Sequence, residues 1–140
     1  MKFVLAIVAS CLFALPCAAN PQVTQALNDI RQKQGLAPVT YAPRLEDAAR
    51  AHALDMAKHG YFAHEGRNGS SVGDRVRAAG YRWCVVAENL AKGRRDLAQV
   101  MNGWAASPGH YQNMIHKKAA EVGLFQGPDR IWAMVLAAPC

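Results

Sequence analysis

The sequence predicts an α+β fold, helices packed against a small antiparallel sheet, and three observations carry that prediction. From residue 23 to residue 115 the apolar residues recur mostly at helical spacing. The end of the chain changes period: "EVGLF" and "IWAMVLAA" flank Gly127-Pro128-Asp129, a hairpin signal, and the second run is apolar on both faces, as a central strand should be. No repeat, low-complexity tract or linker interrupts the chain, so residues 20–140 read as one domain with a single core.

The elements follow in order. Val23, Leu27 and Ile30 mark a first helix over residues 23–34, and Gly35 fits the position after its end. Pro38 and Pro43 mark a connection. Residues 44–59 place Leu45, Ala48, Ala49, His52, Ala53 and Met56 on one stripe, with Gly60 as terminator, so His52 belongs to a packing face and reads as structural. "YFAHEGRNGSSVGD" is a long polar loop, which a compact domain keeps when the loop does or wraps something. A short helix over residues 72–79 ends at Gly80, residues 81–86 are extended, and a helix over residues 96–105 is capped by Asp96. Ser107-Pro108 restarts a helix over residues 110–115, with Ser107 able to cap the first amides and His110 near the positive end of the helix dipole, which favours a neutral ring. Trp83, Trp104, Trp132, Tyr81 and Phe62 are first of all core candidates.

Residues 1–19 read as a secretory signal peptide: Lys2, an apolar run from Phe3 to Leu15, then small residues at both cleavage-determining positions. A lipoprotein-type box at Val8-Ala9-Ser10-Cys11 competes, but cleavage there would leave part of the apolar run on the product. Loss of the leader takes Lys2 with it and lowers the formal net charge from +6 to +5. Basic clusters at residues 92–95 and 117–118 suit anionic lipid or polysaccharide outside the cell better than nucleic acid. The expected product is a secreted or periplasmic monomer, with peripheral membrane contact as a further option.

Of four cysteines, Cys11 and Cys17 lie in the leader, which leaves Cys84 and Cys140 as an even pair in an exported domain and suggests one disulfide. Such a bridge would destabilise the unfolded chain by roughly 4 kcal/mol in the loop-entropy view. The competing reading makes Cys84 a nucleophile working with His110, although no helix start or glycine-rich context is present to lower its pKa.

His64, Glu88, His110 and Glu121 could build a polar site, yet 24, 22 and 11 residues separate them and no local metal, phosphate or nucleophile motif joins them. Spacing alone leaves them as separate, satisfied polar groups. Glu88-Asn89 can equally be a clamp that fixes loop backbone.

The stretch "ALNDIRQKQGLAPVTYAPRLEDAARAHALDMAKHGYFAH", followed by "RVRAAGY", "AENLAKG", "WAASPGHYQNMI" and "EVGLF", resembles the CAP superfamily (SCP domain; cysteine-rich secretory, antigen 5, pathogenesis-related 1) in its compact bacterial form. The likeness runs from Gln25 to Leu136 in the family's motif order. It implies an α-β-α sandwich whose central cleft holds two histidines and two acids, with His64, Glu88 and His110 at three of those positions. The fourth departs from the pattern: Ser107 stands where larger relatives carry an acid, and Glu121 either replaces it or supports the strand edge.

Two imidazoles and one or two carboxylates suit a divalent cation such as zinc, with His64 and His110 as ligands and Glu88 and Glu121 as additional ones. No residue stands in a nucleophile motif, so a binding module for a lipid, cell-envelope component or partner protein ranks ahead of a peptide or polysaccharide hydrolase using His64, Glu88 or His110. A structural envelope protein whose polar cluster serves only the fold is the third reading.

Overall fold

A computed structural model describes residues 20–140, so residues 1–19, the expected leader with Cys11 and Cys17, lie outside the described residues. The chain runs α1 (Pro21–Lys33), β1 (Thr40–Tyr41), α2 (Pro43–His59), α3 (Val72–Ala78), β2 (Trp83–Lys92), α4 (Leu97–Ala105), α5 (Pro108–Met114), β3 (Glu121–Gln126), a short 3-10 turn (Pro128–Arg130) and β4 (Ile131–Pro139).

The four strands lie in the order β1-β3-β4-β2. β4 is central, antiparallel to both neighbours, and its alternation divides the core. Trp132, Met134 and Leu136 join Val23, Leu27, Val100, Trp104 and Met114 from α1, α4 and α5. Ile131, Ala133, Val135 and Ala137 face Leu45, Ala49, Met56 and Val76 from α2 and α3. That is the expected α-β-α sandwich.

Three details depart from the sequence reading. β1 runs parallel to β3, so the sheet is mixed. The residue before β1 is pinned from outside the sheet, because the Asn28 side chain on α1 donates to the Val39 carbonyl and accepts from the Val39 amide at 3.0 and 2.8 Å. β2 also continues to Lys92, six residues beyond the extended stretch expected, since pairing with β4 reaches from Trp83 to Lys92. "AENL" is therefore strand. Phe62 is a third departure: at 46% exposure it is no core residue.

Packing explains two residues of the sequence motifs. Arg31 is fully buried, and its guanidinium donates to the carbonyls of Ala37, Met114, His116 and Ala119, which ties α1 to the segment between α5 and β3. Gly123 is where α2 meets the sheet: a Cβ there would sit 2.1 Å from the Glu46 amide nitrogen, so only glycine lets the helix start approach. Cys84 and Cys140 form the expected disulfide, joining β2 to the residue after β4 across 56 positions. That bond removes Cys84 as a free nucleophile.

Candidate functional site

β2 is the outer strand beside β4, and successive residues on it point to opposite faces. Glu88 sits opposite Val135 and so faces α2 and α3; Asn89 sits opposite Met134 and faces α4 and α5. One dipeptide thus anchors a polar group on each side of the sheet edge.

On the first face, the His64 loop closes over Glu88. The Glu88 side chain is 2% exposed, and its two carboxylate oxygens take different partners: Nδ1 of His64 at 2.8 Å and the Arg75 guanidinium of α3 at 3.0 Å. Arg75 also donates to the carbonyls of His64 at 2.9 Å and Ser70 at 2.8 Å. It therefore compensates the buried carboxylate and ties down the loop that carries the histidine. A carboxylate only accepts, so Nδ1 of His64 carries the proton and, in the neutral ring, the lone pair is on Nε2. The ring is 63% exposed, which leaves that nitrogen available from outside.

On the second face, Asn89 is fully buried and donates to the His110 carbonyl at 3.0 Å. Asn113 completes the clamp, donating to the Asn89 side chain at 2.8 Å and to the Glu88 carbonyl at 3.2 Å. Both readings of Glu88-Asn89 are therefore realised in one strand: Asn89 fixes backbone and Glu88 engages a histidine. The first turn of α5 differs from its expected form. Ser107 makes no side-chain cap. Its hydroxyl instead meets Nδ1 of His110 at 2.9 Å, which leaves Nε2 of that ring free as well. Burial and then the nearby charge of His64 hold His110 below the ordinary imidazole range. The direction matches the sequence expectation, and the second cause places the two histidines in each other's field.

Glu121 is elsewhere engaged. It begins β3, opposite Ala137, and accepts from the Tyr81 hydroxyl, whose pKa is raised by burial and by that carboxylate. It makes no bond to either histidine. Among the described residues, no group of three or more His, Cys, Asp or Glu side chains could hold a metal ion. The four candidate residues are thus not brought together as one ligand set: Glu88 is bound to His64, His110 meets Ser107, and Glu121 supports the sheet.

His52 lies buried on α2, as its stripe position indicates, with Nε2 donating to the Ala63 carbonyl at 2.8 Å and Nδ1 without a partner. Arg75 and Asn113 were not foreseen. Nothing local separates Arg75 from Arg77 on the same helix, since only its position opposite Glu88 gives it a role.

The profile of the cysteine-rich secretory protein family, CAP, matches residues 24–126. The chain belongs to the CAP family. The uncharacterized protein YkwD of Bacillus subtilis is 32% identical over 107 residues, which is 76% of this chain and 42% of that one. Among solved structures, an extracellular SCP-domain protein of Bacillus anthracis superposes with a TM-score of 0.79 at 24% identity, covering 84% of this chain and 39% of its own. An outer surface protein of Borrelia burgdorferi gives 0.77 at 20% identity, over 86% of this chain and 92% of its own. This CAP chain therefore spans under half the length of the Bacillus proteins it resembles, and the structural likenesses establish the fold. No described helix is long and apolar enough to cross a membrane.

Proposed function

We propose that this CAP domain is an exported binding module in which His64 and His110 take up a divalent cation such as zinc at the edge of β2, leaving the cation's outer positions open to a cell-envelope, lipid or protein ligand. The observation that carries the reading is the bond between Glu88 and Nδ1 of His64, with Arg75 holding the same carboxylate. A histidine that ligates through one nitrogen usually donates from the other to a carboxylate, which fixes the ring and raises its basicity. Glu88 then acts behind His64 and is not itself a ligand, and the Ser107 hydroxyl, which can accept as well as donate, takes the Nδ1 proton of His110 when Nε2 ligates. The donor chemistry fits zinc, nickel or copper better than magnesium or calcium, which favour oxygen. Two protein ligands bind more weakly than the three or four of catalytic and structural zinc sites. Export is supported by the disulfide, which persists in oxidising compartments.

Calorimetric titration of the purified protein with zinc tests this. One saturable site is expected, lost in His64→Ala and in His110→Ala while both variants keep their melting temperature to within a few degrees. Equal zinc binding in both variants would overturn it. Loss of stability in both without any change in binding would instead favour the purely structural reading of the cluster.

A further inference from the structure

Between α2 and the loop at residues 66–70 lies a cavity of about 480 Å³, walled by Asp55 and His59 of the helix and by Arg67, Asn68 and Ser70 of the loop. Its volume corresponds to about sixteen waters and falls within the range of small-ligand pockets. The loop is closed by its own bonds: the Gly66 amide donates to the Ser70 carbonyl at 2.9 Å, the Gly69 amide to the Gly66 carbonyl at 2.8 Å, and the Ser70 amide to Oδ1 of Asn68 at 3.0 Å. Arg67 and Asn68 are thus presented from a fixed frame.

The lining offers donors and acceptors together. Nδ1 of His59 meets the Asp55 carboxylate at 2.9 Å and the Asp55 carbonyl at 3.1 Å, both of which only accept, so Nδ1 carries the proton and, in the neutral ring, Nε2 presents a lone pair. Oδ1 of Asn68 is used by Ser70, which leaves the side-chain NH2 to donate, and the Arg67 guanidinium is exposed beside it. Among the described residues, neither donor has a partner within the protein. Two buried atoms of wall residues repeat the mixture without partners: Nδ1 of His52 accepts, because Nε2 donates to the Ala63 carbonyl, and Nε of Arg75 donates. The Tyr61 hydroxyl, and then His59, hold Asp55 below the usual carboxylate range against the opposing influence of burial, so negative charge stands beside the two arginines.

That mixture decides the class of ligand. An anion would meet the Asp55 carboxylate and the bare His59 nitrogen, a cation would meet Arg67 and Arg75, and an apolar molecule would strip water from all of these groups without replacing it. A hydroxyl both donates and accepts. We infer that this cavity binds a neutral sugar ring, whose hydroxyls donate to Nε2 of His59 and the Asp55 carboxylate and accept from Asn68 and Arg67. The site goes beyond the proposed cation site, because His64 and His110 do not line it and Arg75 contributes a nitrogen that Glu88 does not use.

Glucose, galactose and N-acetylglucosamine are the probes, with inorganic phosphate as the anionic control, titrated into the zinc-free protein and followed by ¹H–¹⁵N NMR at the Asn68 side-chain amide and the backbone amides of residues 66–70. Saturable binding of at least one sugar is expected, with phosphate at least about tenfold weaker. His59→Ala/Arg67→Ala removes an acceptor and a donor at the surface and should weaken that sugar about tenfold or more while the amide spectrum stays that of a folded protein. His110→Ala, across the sheet on α5, should lose zinc and keep the sugar affinity, so that failure of either site shows without the other. No saturable shift with any of the three sugars, phosphate binding as tightly as the best of them, or an unaltered affinity in the double variant would overturn the inference.

Discussion

Glu88 and Glu121 stand on neighbouring parts of one sheet, both directed to the face covered by α2 and α3, and they have opposite surroundings. Glu88 is nearly inaccessible and lies between a guanidinium and an imidazole. Glu121 is only half-buried and meets a phenol. Residue type and motif position are the same in kind, yet one carboxylate has a charge partner that fixes it and a histidine that it in turn orients. The other closes a hydrogen bond between β3 and the approach to β2. The difference teaches that an acid acquires a role in a site through the cation that permits its burial, and here that cation is Arg75.

Removing that cation gives the largest effect. Arg75→Met leaves Glu88 buried without compensation and frees the His64 loop, so denaturant unfolding should show a loss of about 3–5 kcal/mol. A loss no greater than that of a surface substitution would erase the contrast between the two acids. Next comes Glu88→Gln, which keeps the shape but weakens the orientation of His64: zinc affinity should fall by about 10–100-fold, whereas Glu121→Gln should leave it unchanged. Comparable losses in the two variants would place Glu121 in the cation site after all. Tyr81→Phe removes the bond to Glu121 and should cost about 1 kcal/mol with no change in zinc binding.

The smallest effect is a pH slope. His52 is held below the ordinary imidazole value of 6.5 by burial, against the opposing influence of Glu88 and Asp55 and with that of Arg75. His110 is lowered too, by burial and by His64. The unfolded chain therefore binds more protons than the folded one just below pH 6.5, so stability should decline as pH falls through that value and level off above it. His52→Gln should flatten part of the slope; an unchanged slope in that variant would show that the buried ring contributes nothing to it.

Much of this was legible in the sequence because it depends on local periodicity. The stripe from Leu45 to Met56, the Asp96 cap and the hairpin at Gly127-Pro128-Asp129 all declare themselves within a few residues, and an even cysteine pair limits its own solution. The family likeness pointed to His64, Glu88 and His110. What escaped depends on partners distant in sequence. The parallel strand at Thr40–Tyr41 is too short to carry a period and exists because Asn28 holds the preceding residue. The length of β2 comes from β4, about forty residues later. Ser107 looked like a cap because caps and ring partners use the same hydroxyl, and Arg75 looked like any exposed helix arginine.

The central claim is that Glu88 fixes which nitrogen His64 offers, and a long-range ¹H–¹⁵N spectrum of the zinc-free protein at neutral or mildly alkaline pH reads it directly. The expected result is a His64 tautomer with its proton on Nδ1 and a bare Nε2, shifting toward the Nε2-protonated form in Glu88→Gln. A wild-type ring protonated on Nε2, or the same tautomer mixture in both proteins, would contradict it.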